Sequence, residues 1–177
     1  QEETGYDEFD FDGKALYRFN EDSVLTLAHQ TVDQNDAWRT HRTIYGIDWE
    51  DLARGDDKVH SYDQHRDLTY LRFQADDRAG FLRAMDFTLS RHLQSEDLYR
   101  LKKDDKSDKQ GFDVETLGVA AQFTSDSKIG TWVYGAEYYR DDVDSYLRKY
   151  RADGSLEKKE VQGPVADDAI YDNAGAY

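Results

Sequence analysis

The segment Asn35–Asp67 concentrates the side chains best suited to binding a metal or a planar ligand. The imidazoles and phenols in it can ligate haem iron, and the indoles and phenols offer a stacking surface. The candidate ligand-binding residues of this segment are Trp38, His41, Tyr45, Trp49, His60, Tyr62 and His65. The alternative, which the polarity of the segment favours, is a solvated loop in which these side chains bind nothing.

Patterns typical of catalysis do not appear elsewhere. Adjacent carboxylates such as Asp141 and Asp142 are expected by chance in a chain with 38 acidic residues. The sequence contains no Ser-His-Asp order, no HExxH and no phosphate-binding loop. In the mixed-charge run Lys102–Lys109, three aspartates could hold Ca²⁺ weakly, but no spacing fixes a coordination sphere. We therefore expect no enzyme activity, no cofactor and no resident metal.

Composition narrows the class of protein further. The chain has 177 residues and a formal charge of −15, which argues against binding to a nucleic-acid backbone. The absence of cysteine excludes disulfides and thiolate sites. No apolar run is long enough for a transmembrane helix. The 13 Tyr, 8 Phe and 3 Trp are too many for a disordered chain and fit a sheet with one apolar face.

Apolar and polar residues alternate with a period of two in several segments, which predicts about seven β-strands. In the clearest one, Leu117, Val119 and Phe123 share a face opposite Gly118 and Gln122. The predicted strands are 14–19, 24–32, 68–75, 81–91, 112–124, 131–141 and 169–177, and 1–13 is expected to be irregular. The fold class is therefore all-β, an antiparallel meander of long strands.

The predicted connections alternate strictly between short turns and the long loops Asn35–Asp67, Leu93–Gln110 and Val143–Asp168. Within the last of these, Asp153-Gly154 could close a small hairpin. Short periplasmic turns alternating with long extracellular loops are typical of outer-membrane barrels. The pattern favours part of a transmembrane β-barrel. A soluble antiparallel sheet with one wet face is the alternative that the strand period alone leaves open.

Several segments together resemble a known family. They are Leu117–Ser125, Thr131–Val143, Tyr171–Tyr177, Tyr17–Leu27 and Trp38–Thr43, and Tyr134-Gly135-x-Glu137-Tyr138-Tyr139-x-Asp141 is the most recognisable piece. In their order and spacing they are similar to the β-barrel domain of TonB-dependent outer-membrane receptors. The likeness runs from about Gly13 to Tyr177.

The resemblance implies a receptor in the outer membrane of a Gram-negative-type bacterium. Such a receptor imports a scarce ligand, here an iron-siderophore complex or haem, with energy from the TonB complex acting through a plug domain. We recognise no plug, TonB box or closing strand, and about seven strands cannot close so large a wall. We therefore expect residues 1–177 to be a barrel fragment.

If the apolar residues face lipid, Gln122, Gly135 and Glu137 face the lumen, while the long loops select the ligand. A different class of function stays open at this point. The same strands could form a soluble, secreted β-sandwich that binds carbohydrate through surface aromatic residues.

Overall fold

The computed structural model describes residues 4–76 and 80–177, which form one antiparallel sheet of eight strands. The strands are β1 (Asp7–Asn20), β2 (Ser23–Trp38), β3 (Val59–Ala75), β4 (Leu82–Leu101), β5 (Ser107–Ser127), β6 (Gly130–Tyr150), β7 (Leu156–Glu160) and β8 (Ala169–Ala176). They follow one another as a meander from β1 to β7, and β8 pairs with β6 beside β7. The predicted all-β meander of long strands is confirmed. In the described part of the chain, no helix is long and apolar enough to cross a membrane.

The strands extend further than hydrophobic alternation alone indicates. β5 and β6 are 21 residues each, and they pair without a break from Ser107↔Tyr150 to Ser127↔Gly130. The prediction of a loop over Leu93–Gln110 is wrong for most of that segment, because β4 ends only at Leu101 and β5 begins at Ser107. The expectation that residues 1–13 are irregular is also wrong from Asp7 onward.

Polar cross-strand pairs explain these extensions. Gln64 donates to Glu96 at 2.5 Å across β3 and β4, and Gln34 donates to Glu8 at 2.7 Å across β1 and β2. Such pairs stabilise a sheet whose two faces are both wet, so the ladder continues where apolar alternation stops. Charge alone was therefore a poor signal for a loop in this sequence.

Half of the predicted loop Val143–Asp168 is strand. β6 continues to Tyr150 and returns through a tight turn into β7. The amide of Gly154 donates to the carbonyl of Arg151 at 2.9 Å, and Gly154 has a φ of +81°. This confirms the small hairpin predicted at Asp153-Gly154. Within 143–168, the turn 151–155 and the connection 161–168 lie outside the strands.

The segment between β2 and β3 is the long connection of the sheet. It spans residues 39–58 and contains one turn of 3₁₀ helix, Thr40–Arg42. At the opposite end of the sheet, the turns 21–22 and 128–129 are short, as predicted. The predicted turn Asp76–Gly80 lies partly outside the described residues.

The register between neighbouring strands aligns the residues that were predicted to share a face, across the whole sheet. One continuous row runs Leu27, Leu71, Leu89, Val119 and Tyr138. We call this side the apolar face. The neighbouring row, Thr26, Arg72, Thr88, Ala120 and Glu137, lies on the opposite side, which we call the polar face.

Nothing in the described part of the chain covers the apolar face. Leu27 is 50% exposed, Leu89 is 44% exposed and Leu117 is 46% exposed. Among the residues that the structure describes, the buried apolar ones are Ala28, Ala75, Leu98 and Val143. The two-sheet arrangement that a β-sandwich requires is not found among residues 4–76 and 80–177.

Two glycines on the polar face lie under tyrosine rings. A Cβ at Gly118 would come within 2.7 Å of the Tyr139 ring, its cross-strand neighbour. A Cβ at Gly135 would come within 2.6 Å of the Ala121 carbonyl oxygen and 2.7 Å of the Tyr177 hydroxyl. A ring that covers a glycine restores side-chain packing where the sheet curves. At Gly135 the atoms that a Cβ would meet include a backbone carbonyl, which cannot rotate away as a side chain can.

We expect Gly135→Ala to destabilise the sheet by about 1–3 kcal/mol, because the added methyl group must push β5 away from β6. Urea unfolding of the chain in detergent micelles measures this change. Gly5→Ala is the matched control, since a Cβ at Gly5 meets nothing within 4 Å. Equal stability of the two variants would contradict the close approach at Gly135.

Candidate functional site

The connection 39–58 is folded tightly against itself. Thr43 is fully buried, and its hydroxyl donates to the Thr40 carbonyl at 2.9 Å. The Gly55 amide donates to the His41 carbonyl at 2.8 Å, and a Cβ at Gly55 would lie 1.9 Å from the Arg42 carbonyl oxygen. Only glycine allows the two backbones to meet this closely. The connection is therefore a compact cap at this end of the sheet.

At the base of this cap, His60 and Tyr62 form one cluster on the polar face of β3. His60 is 8% exposed, and its Nδ1 lies 2.9 Å from Asp57 Oδ2. The His60 and Tyr62 rings are 5.7 Å apart. The Arg39 guanidinium lies over the Tyr62 ring at 5.2 Å from its centroid. The cluster fixes where the connection leaves β2 and enters β3.

The other candidate residues of Asn35–Asp67 lie apart from that cluster. Trp38 and Tyr45 contact each other edge to face at 6.5 Å, with Trp38 paired to Ser61 in the register. His41 is exposed. His65 lies further along β3, with its Nε2 3.1 Å from Asp67 Oδ2. The structure therefore does not bring the seven predicted residues into one site, and His60, Tyr62 and His65 belong to a strand rather than to a loop.

The tip of the connection presents apolar side chains to solvent. Trp49 and Leu52 pair through two backbone hydrogen bonds of 3.0 and 2.8 Å, and Glu50 between them has a φ of +48°. Ile47, Trp49 and Leu52 are each at least 70% exposed. We predicted Trp49 as a stacking residue but missed Ile47 and Leu52. Their alternation with acidic residues was the signal that could have revealed them.

The predicted lumen-facing residues do lie together on the polar face. Gln122 and Glu137 line a hollow of about 440 Å³ there, and Gly135 lies beside it under Tyr177. The Tyr177 hydroxyl donates to Gln122 Oε1 at 3.0 Å. Gly135 thus admits a tyrosine of this same chain.

The same hollow contains an ion pair that sequence analysis missed. Arg72 Nε donates to both carboxylate oxygens of Asp86, at 2.9 and 3.0 Å. The two residues are a diagonal pair on β3 and β4, which only the register reveals. The wall of the hollow therefore combines paired polar side chains with apolar ones such as Leu68 and Ala120.

The aspartates of the run Lys102–Lys109 are held by basic residues. Asp108 is fully buried and accepts from Arg100 at 2.8 Å, with Lys102 at 3.4 Å. The Asp108 carboxylate raises the pKa of Arg100. Asp104 pairs with Lys106 at 3.1 Å, and Asp105 pairs with Lys58. Within 4–76 and 80–177, no group of three or more His, Asp or Glu side chains is arranged to hold a metal ion.

Acidic residues dominate the apolar-face side of the sheet just beyond its apolar rows. Asp97, Asp113 and Asp144 occur there on neighbouring strands, and the Tyr146 hydroxyl donates to Asp97. Partial burial and the charges of Asp97 and Asp144 raise the pKa of Asp113. Burial and the bond to Asp97 raise the pKa of Tyr146 well above its ordinary value. The three carboxyl groups of this acidic belt therefore lie close enough to repel one another.

Comparisons with known proteins do not identify the chain. No family model matches it, and searches of curated proteins and of solved structures find no match.

The contributions of Asp113 and Asp153 to the stability of the fold should change with pH in opposite directions. The folded state raises the pKa of Asp113, so its ionised form destabilises the fold as the pH rises above the ordinary aspartate value of about 3.9. Asp113→Asn should therefore stabilise the chain at pH 7 by less than about 1 kcal/mol, and this gain should vanish in acid.

Asp153 is the matched control. Hydrogen bonds from Ser155, whose amide lies 2.9 Å from Asp153 Oδ1, lower the pKa of Asp153. Ionised Asp153 contributes stability at pH values above the ordinary aspartate pKa. This stability is lost as the pH falls through the pKa of Asp153 in the folded state. Asp153→Asn should therefore destabilise the chain at pH 7. Urea midpoints at pH 7.5 and pH 4 check both variants, and equal signs for the two would refute the assignment.

Proposed function

We propose that the chain forms part of the wall of an outer-membrane β-barrel receptor that binds a scarce ligand and imports it. The observation that carries this proposal is the uncovered apolar face, which continues across β1 to β6 and β8. Lipid is the environment that stabilises such a face without a second protein layer. The polar face, with its hollow and its paired charges, then lines an aqueous lumen.

The dimensions of the apolar face support this environment. On β5 the apolar positions run from Leu117 to Phe123, which spans about 20 Å at ~3.3 Å per residue. Trp132 and Tyr134 extend the rows toward the short turns and are 55% and 38% exposed. Aromatic residues at one border of an apolar band about 25 Å tall are typical of barrels in the outer membrane.

The open edges of the sheet imply further strands. Within the described ranges, β1 pairs only with β2, and β8 pairs only with β6. In a membrane, unpaired backbone groups are costly, so a barrel must close on itself. Under this proposal, additional strands of the same wall complete the barrel. The apolar tip of the connection 39–58 then lies on the extracellular side, where ligand is captured.

The class of ligand and the energy source come from the sequence resemblance. An iron-siderophore complex or haem is the proposed ligand, and the TonB complex, acting through a plug, is the proposed partner. The seven candidate residues serve this role in separate groups, with Trp49 at the exposed tip. No chemical change of the ligand is proposed.

Cysteine labelling tests which face meets lipid, because the chain has no cysteine of its own. A fluorophore attached at Val119→Cys should be quenched by nitroxide-labelled lipids after reconstitution into vesicles. The same fluorophore at Ala120→Cys, the adjacent residue on the polar face, should resist lipid quenching and respond to iodide in water. Fluorescence quenching with the two reagents measures both effects.

Leu89→Cys and Ser90→Cys repeat this comparison on β4. The proposal fails if both members of each pair respond equally to iodide, or if the protein that carries this chain is fully soluble without detergent. Heat-modifiable migration of that protein in gel electrophoresis is the expected accompanying property.

A further inference from the structure

Three basic side chains lie next to one another on three neighbouring strands. Lys109 of β5 pairs with Arg148 of β6, and Arg148 pairs with Lys159 of β7. All three are exposed and lie beyond the acidic belt, at the far end of the sheet. Adjacent strands are ~4.8 Å apart, so the backbones of the three residues span about 10 Å. We call Lys109, Arg148 and Lys159 the cationic row. Like charges directly opposite each other destabilise a sheet.

The next row of basic residues, one position along each strand and on the polar face, is compensated. Arg100 donates to Asp108 at 2.8 Å, and Lys149 donates to Glu160 at 2.9 Å. Lys158 pairs with the same Glu160. The cationic row lacks such compensation, since none of its members forms an ion pair with any residue that the structure describes.

Tyrosine rings hold two members of the cationic row in place. Lys109 Nζ lies 5.6 Å from the centroid of Tyr99, and the Arg148 guanidinium lies 5.1 Å from the centroid of Tyr146. A ring face orients a cation but supplies no counter-charge. The neighbouring Asp97 accepts from the Tyr146 hydroxyl instead. Lys109 and Arg148 are therefore oriented by these rings, and all three cations are open to solvent.

We infer that Lys109, Arg148 and Lys159 bind a multiply charged phosphorylated anion, such as a diphosphate group or a pair of sugar phosphates. A guanidinium binds phosphate oxygens through two parallel hydrogen bonds, and the flanking ammonium groups add point charges. A single carboxylate would leave two of the cations uncompensated. With a net charge of −15, the chain repels anions except where cations cluster. The site rests on strand register and does not depend on the proposed membrane function.

Calorimetric titration of the full chain in neutral detergent micelles tests the inference. One arm titrates inorganic pyrophosphate, and a second adds lipid A, a bisphosphorylated glycolipid, to the micelles. Each single Gln substitution of Lys109, Arg148 or Lys159 should weaken binding about two- to fivefold, and the triple substitution about tenfold or more. Binding should also weaken as salt is raised.

The matched control removes the same charges elsewhere. Lys14→Gln, Arg18→Gln and Lys128→Gln together also remove two lysines and one arginine, all exposed and outside the row. This control should change affinity less than twofold. Lys159 lies on the short edge strand β7. The single substitution Lys159→Gln therefore tests the site even if the triple variant fails to fold.

The outcomes show whether the site exists and, if it does, whether its anion is a free solute or a lipid headgroup. Row-dependent binding of pyrophosphate supports a free phosphorylated solute, and row-dependent binding of lipid A alone supports a membrane headgroup. The inference is overturned if the unmodified chain binds neither probe. It is also overturned if Lys159→Gln and the control triple variant weaken binding equally.

Discussion

In residues 4–76 and 80–177, no second protein layer covers one face of the sheet, and the rest of the structure depends on how that face is covered. The ladders from β1 to β8 satisfy most backbone groups, yet Leu27, Leu89 and Leu117 keep about half of their surface exposed. Apolar burial is the main favourable term in folding, and a lone sheet in water obtains little of it. The apolar face therefore needs an external apolar phase or partner, and the long strands, the paired polar face and the aromatic border are all consistent with lipid.

Alternation of side chains made the sheet largely predictable. A period of two assigned Leu117, Val119 and Phe123 to one face, and the register keeps them there across the neighbouring strands. The same logic grouped Gln122 with Glu137, which line one hollow. Where apolar residues alternate, a shift of one position would move every side chain to the wrong environment, so the sequence specifies these strands strongly.

The ends of the strands and the ligand-binding candidates were less predictable, for a physical reason. Beyond the apolar rows the ladder is stabilised by specific pairs such as Gln64–Glu96, whose partners are distant in the chain. Composition shows that charged residues are present but not which of them form cross-strand pairs. Residues 93–101 were therefore predicted as a loop. The histidines and tyrosines of Asn35–Asp67 shared a segment but divide between strand and connection. Which of them meet depends on backbone geometry that a list of residue types does not contain.

The projecting hairpins have a mechanical consequence. β4 with β5, and β6 with β7, continue as hydrogen-bonded ladders up to tight turns, so this rim of the sheet is stiff. A ladder bends only by breaking several bonds at once, whereas an irregular segment moves by single rotations. The connection 39–58 is the long irregular segment between adjacent strands at this end of the described chain. Under the proposed receptor function, the hairpins are a fixed frame, and adaptation to the shape of a ligand comes from the connections 39–58 and 161–168.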